Sequence, residues 1–152
     1  MSQTAKKEVQ GEILQCVTFR LDGETYGINV MRVQEVLRVT EIAPVPGAPD
    51  YVMGIINLRG NVVTVIDGRQ RLGLPQKELD DSTRIIVIEG EGQVIGILVD
   101  AVAEVVDIDT AEIDTAPGVG SEESARYIQG VTHCGDALLI LVDIDKLLAA
   151  GE

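Results

Sequence analysis

Residues Gly54 to Asp67 read G-I-I-N-L-R-G-N-V-V-T-V-I-D. Two β-branched runs, Ile55-Ile56 and Val62-Val63-Thr64-Val65-Ile66, flank a polar tip, Asn57-Leu58-Arg59-Gly60-Asn61. β-Branched residues suit a pleated, half-buried surface, and a Gly-containing tip between two such runs predicts a hairpin. A strand pair presents its tip rigidly. Arg59 is therefore expected to stand out from the body, where binding residues tend to sit.

Outward from this hairpin the composition sets bounds. The 152 residues are 45% apolar but only 3% aromatic, with no Trp and one Phe, so the core must be aliphatic. A chain of this length buries enough surface to fold without staples. Its net charge of −13 opposes phosphate backbones and anionic membrane surfaces, which excludes non-specific nucleic-acid binding and a basic membrane-surface role. Cys16 and Cys134 stand alone beside apolar residues and read as small hydrophobes, not as a bridge or metal site. The first eleven residues are polar and are expected to form a disordered lead-in. They lack the apolar run of a signal peptide, and no stretch approaches the ~18 apolar residues of a membrane span.

Taken in order, Ile13 to Leu21 reads as a strand, and Asp22-Gly23 turns it into Thr25–Ile28. Val30 to Leu37 has the spacing of a short helix face but a β-branched content, which leaves helix and strand both open. Pro44, Pro46 and Pro49 exclude regular structure over Thr40 to Pro49. After the central hairpin, Asp67 is placed to cap a short helix ending at Gly73 and Pro75, with a connector to Thr83.

The pattern then begins again. Gly23/Gly92, Gly27/Gly96, Ile28/Ile97, Val30/Val99, Val33/Val102, Glu35/Glu104 and Val36/Val105 all stand 69 apart. Tyr51/Tyr127, Gly54/Gly130 and Asp67/Asp143 stand 76 apart. Small loop insertions account for the growing offset, so one unit occurs twice. Each unit holds about five short strands with Gly turns, the signature of a small barrel, and two barrels joined by aliphatic faces leave a groove between them. The copies differ where copy one has Asn57-Leu58-Arg59-Gly60 and copy two has His133-Cys134-Gly135, and copy two carries a longer acidic loop over 118–126.

A catalytic set is hard to assemble. The single His, His133, neighbours Cys134, and adjacent strand residues face opposite ways. Asp67, Asp100 and Asp143 each end an apolar strand, where caps and turns account for them, although three carboxylates leave an acidic metal site as an alternative. Asp107, Asp109, Glu112 and Asp114 lack the central Gly of a calcium loop and read as a solvated face. Gly90-Glu91-Gly92 carries an acid and precedes no helix, so it offers no phosphate loop.

The motifs Y-G-I-x-V-x-x-V-Q-E-V at 26–36, P-x-x-P-x-Y-V-x-G-I-I-N-L-R-G at 46–60, V-I-G-I-L-V-D at 94–100 and L-I-L-V-D-I-D-K-L-L at 139–148 resemble the CheW family of bacterial chemotaxis adaptors, from about residue 12 to 149. The resemblance implies an all-β fold with a few short helices: a single domain, 12–150, of two SH3-like five-stranded barrels, roughly 12–82 and 83–150 with boundary strands open to exchange. It implies a non-enzymatic, cofactor-free adaptor recruited to membrane arrays; the lack of a signal peptide or span reads as cytoplasmic, and the acidity as a monomer that assembles only with partners. In those arrays it couples chemoreceptor cytoplasmic tips to the regulatory domain of the histidine kinase CheA. The alternatives are a module of a CheV-type scaffold or of a non-motility pathway. By motif match the binding residues are Val33, Glu35, Gly54, Asn57, Leu58, Arg59 and Gly60, with Arg59 and Glu35 as polar contacts and Val33 as apolar lining. The family usually carries Pro at the position of Thr64 and Leu at that of Gly68. Gly within a helix costs up to about 1 kcal/mol.

Overall fold

The computed structural model describes residues 12–90, 92–115 and 126–149. The expected lead-in over 1–11 and the acidic loop through residue 125 lie outside them. Among the described residues, ten strands form two five-stranded sheets: β1 (Ile13–Leu21), β2 (Glu24–Asn29), β3 (Val33–Arg38), β4 (Val52–Leu58), β5 (Asn61–Asp67), β6 (Arg84–Gly90), β7 (Gln93–Val99), β8 (Ala101–Asp109), β9 (Ile128–Cys134) and β10 (Ala137–Val142). Two short helices, α1 (Gly68–Arg71) and α2 (Ile144–Ala149), follow β5 and β10. The open segment at 30–37 resolves into a 3₁₀ turn, Val30–Arg32, and strand β3. A strand wins there because β3 pairs antiparallel with β6, and β-branched residues pack well on that ladder.

Strand order reveals how the repeat is used. Barrel one runs β8-β1-β2-β10-β9 and barrel two runs β3-β6-β7-β5-β4. The sheets are composed across the 82/83 boundary: each takes its first hairpin from one copy and three strands from the other. The parallel ladders β2–β10 and β5–β7 are junctions between copies. Both barrels close through an isolated bridge, Ala43 with Ile55 in barrel two and Asp114 with Val131 in barrel one. Each bridge is a reciprocal pair of N–H to carbonyl hydrogen bonds of 2.8–2.9 Å.

Side-chain alternation divides the apolar residues among three cores. In β6, Ile85 and Val87 point into barrel two, while Ile86 and Ile88 point into the joint between barrels. In β10, Leu139 and Leu141 point into barrel one, while Ile140 and Val142 face the joint. The joint core is the largest and holds Phe19 stacked on Tyr26.

The recurring glycines follow from closure. A Cβ on Gly54, at φ +152°, would sit 2.2 Å from the Ala43 carbonyl oxygen. A Cβ on its counterpart Gly130 would meet Ile113 Cγ2 at 2.5 Å and the Asp114 carbonyl at 2.9 Å. Gly68 is likewise explained by packing and not by helix propensity, since a Cβ there would lie 2.7 Å from the Leu98 carbonyl oxygen. Here α1 lies closer to β7 than a Leu would allow. Thr64 pairs with strands on both sides, a place where a proline would lose a ladder hydrogen bond.

Candidate functional site

The β4–β5 hairpin turns at Arg59-Gly60, both with positive φ, between the paired residues Leu58 and Asn61. Two left-handed residues form the turn whose twist matches a β-hairpin, and Gly60 accepts its φ of +88° without cost. Asn57 locks the turn, its Oδ1 accepting the Gly60 N–H at 3.0 Å. Leu58 packs against the barrel-two core.

Arg59 does not stand free. Its guanidinium folds back across the closing seam of barrel two and pairs with Glu35 on β3, Nη1 donating to Oε1 at 3.4 Å and Nη2 to Oε2. The Arg59 side chain is 70% exposed and that of Glu35 26%, so the pair lies on the surface with its carboxylate tucked in. Hydrogen bonding to Glu35, then its charge, pushes the Arg59 guanidinium above its ordinary value. Val33 is half-buried against the joint core. Gly54 serves barrel closure, behind this surface. The seven residues named from sequence thus lie on one barrel, around its seam, and the joint between barrels is filled by side chains, mostly aliphatic.

Beside the hairpin runs an open groove of about 450 Å³, floored by Ile42, Ala43, Ile55 and Ile56 and rimmed by Glu41 and Val62. Val62 is 66% exposed. Sequence reading missed this groove, because the 43–55 bridge that forms it joins a proline-rich segment to a strand. The exposure of Val62 opposite a Pro-containing loop was the available signal.

The acidic residues are committed elsewhere. Asp67 Oδ1 accepts from Arg69 N at 3.0 Å and Asp143 Oδ1 from Lys146 N at 3.2 Å, both as helix caps. Asp100 accepts two hydrogen bonds from the Arg69 side chain, at 2.8 and 2.7 Å, and one from the Asp22 N–H at 2.9 Å. The Arg69 contact, aided by the Asp22 N–H, holds the Asp100 carboxyl below its usual range. Asp67 and Asp100 both line a cavity of about 400 Å³, but Arg69 and Lys77 line it too and supply positive charge. No cluster of three metal-ligating side chains occurs among the described residues. Asp109 caps the 3₁₀ turn Thr110–Glu112, and Asp107 accepts from Gln15. Burial pushes the Cys16 thiol up to about 11, and Cys134 is half-buried.

The site is thus an exposed Arg–Glu pair on a two-residue hairpin, beside an apolar groove. The model of the CheW-like domain matches residues 15–152. The chain belongs to the CheW family. It is similar to the chemotaxis protein CheW of Treponema pallidum, 34% identical over 95% of this chain and 87% of that protein. It is equally similar to that of Klebsiella aerogenes, 34% identical over 100% of this chain and 90% of that protein. The crystal structure of the scaffolding protein TtCheW from Thermoanaerobacter tengcongensis superposes with a TM-score of 0.80 at 34% identity, covering 86% of this chain and 89% of that one. A two-barrel, CheW-like fold is thereby shown. No helix among the described residues is long and apolar enough to cross a membrane.

Proposed function

We propose that this CheW-family protein is a non-enzymatic adaptor that couples chemoreceptor cytoplasmic tips to the histidine kinase CheA. The barrel-two seam is its receptor surface. The observation that carries this reading is the Arg59–Glu35 pair, poised on a rigid turn at the edge of the Val62 groove. An exposed Arg with its charge oriented by a carboxylate offers directional donors, and the groove beside it offers apolar area. Together they fit an amphipathic helical partner, whose apolar stripe enters the groove while its polar face meets Arg59. The CheA regulatory domain would be met on separate barrel surfaces, which leaves both partners bound at once. The net charge of −13 favours partner-driven assembly over self-association.

The test is a pull-down of purified protein with a receptor cytoplasmic fragment and, separately, the CheA regulatory domain, wild type beside Arg59→Asp. If the Arg59–Glu35 pair anchors the receptor, its capture should weaken by about 30-fold or more, while kinase capture and the melting curve stay unchanged. Unchanged receptor capture by a well-folded Arg59→Asp would remove the site. Failure of wild type to bind either partner would remove the adaptor reading.

A further inference from the structure

Arg71, the last residue of α1, is 8% exposed, and its guanidinium carbon lies 3.9 Å from the ring centre of Tyr51 and 5.2 Å from that of Tyr127. Its Nε and Nη2 are buried with no hydrogen-bond acceptor. Buried unpaired donors are costly, and fewer still belong to charged groups. Something other than hydrogen bonds must hold the Nε–Nη2 edge of this cation in place.

The two rings are counterparts in the duplicated halves, 76 residues apart. Tyr51 precedes β4 of barrel two, and its carbonyl accepts the N–H of Asp67 at 2.7 Å. Tyr127 precedes β9 of barrel one, and its carbonyl accepts the N–H of Asp143 at 2.8 Å. One cation therefore touches the same residue of both copies. The counterpart of Arg71 itself is Leu147, which is buried in the joint core. Copy two shows that this position is satisfied by an apolar side chain, so a charge is not needed to fill the space.

We propose that Arg71 is a positioning residue that locks the two barrels in one relative orientation. Apart from the Phe19–Tyr26 stack and Tyr127, the buried joint core is Ile, Val and Leu from near-equivalent faces, and aliphatic contact is non-directional. Such a joint has neighbouring arrangements of similar energy. A guanidinium among those faces has one favourable seat, between the two ring faces whose negative quadrupoles meet it. Any slip of one barrel against the other removes a ring and leaves an unpaired buried charge. The cation thus costs stability and confers a single arrangement, a role buried charges take in other folds. It is independent of the receptor reading, since the joint lies apart from the Arg59 seam.

The test uses the full chain and needs no partner. Residual dipolar couplings are measured on amides of each barrel in wild type, Arg71→Leu and Arg71→Lys, beside urea unfolding. Arg71→Leu should unfold at an equal or higher midpoint yet show doubled joint resonances, at Ile86, Ile88 and Tyr127, or barrel alignments that no longer fit one tensor. Arg71→Lys, which keeps the cation, should fit the wild-type tensor. A single wild-type tensor with undoubled resonances in Arg71→Leu would overturn the proposal, as would a lowered midpoint with unchanged orientation. Should Arg71→Leu fail to fold, Tyr51→Leu carries the test: removal of one ring should produce the same loss of a single orientation, and its absence overturns the lock.

Discussion

Barrel one and barrel two close by the same reciprocal bridge and in the same strand order, yet their closing turns differ. Barrel two turns at Arg59-Gly60 and sends a guanidinium across its seam to Glu35. Barrel one turns at Gly135-Asp136, with no arginine in the turn, and the residue matching Glu35 is Glu104. The same scaffold therefore carries an Arg–Glu pair across the turn on one barrel and a turn with no arginine on the other. Duplication supplied the framework twice, and a few turn residues made its two ends chemically distinct.

The ion pairs behind the closing strands show the same divergence. In barrel two, Arg69 on α1 pairs with Asp100 after β7. In barrel one, Asp145 on α2 pairs with Arg32 after β2 at 2.6 Å. The carrier on the helix is cationic in one case and anionic in the other. The Arg69 pair is largely buried, with side chains 11% and 17% exposed, whereas Asp145 is half exposed.

Substitutions at the two closures should break this comparison most strongly. Gly54→Ala combines positive φ with a Cβ against backbone and is expected to cost about 3 kcal/mol or more by urea denaturation. Gly130→Ala lacks the φ strain and faces a movable Ile113 methyl first, so about 1–2 kcal/mol is expected. Equal costs would show that the closures are energetically alike.

The ion pairs come next. Arg69→Met leaves Asp100 one of its three hydrogen bonds, that from the Asp22 N–H, and should destabilise by about 2 kcal/mol at neutral pH. The sign with pH follows from the depressed Asp100 carboxyl: its stabilisation is complete above the unfolded value near about pH 4 and is lost as pH falls through the lower folded value. The gap between wild type and Arg69→Met should therefore shrink in acid, and a constant gap from neutral pH to pH 2 would sink the assignment. Asp145→Asn at the exposed counterpart should change stability by no more than about 0.5 kcal/mol.

The smallest effect concerns reactivity. A thiol reagent at neutral pH should modify Cys134 first and Cys16 more than about 100-fold more slowly, because burial both shields Cys16 and suppresses its thiolate. Comparable rates would mean that barrel one opens readily at β1.

Much of the fold was legible locally. Asp22-Gly23 is a favoured hairpin dipeptide, and Arg59-Gly60 read as a turn because a Gly-containing polar tip lies between two β-branched runs; both pairs take two positive φ values. Asp67 and Asp143 announce their helices because a capping carboxylate meets N–H groups two or three residues on. Gly68 read as a weak helix former, and its cause proved to be the Leu98 carbonyl 30 positions away. Arg59 read as a free tip because its partner lies 24 residues upstream on a strand that is adjacent only after the barrel closes. The 30–37 segment stayed ambiguous because its spacing suits both periods, and pairing with β6 decided it.

The sequence by itself determined most strands and the turns, which depend on side chains close along the chain, and the duplication and the asymmetry at Arg59, which are patterns in the order of residues. Tertiary structure alone decided which strands share a barrel, that Arg59 meets Glu35, that Arg69 fills the acidic corner, and that Arg71 rests between Tyr51 and Tyr127. Those contacts join residues far apart along the chain. Their energies depend on register and burial, which exist only once the two copies have exchanged strands and closed around three cores.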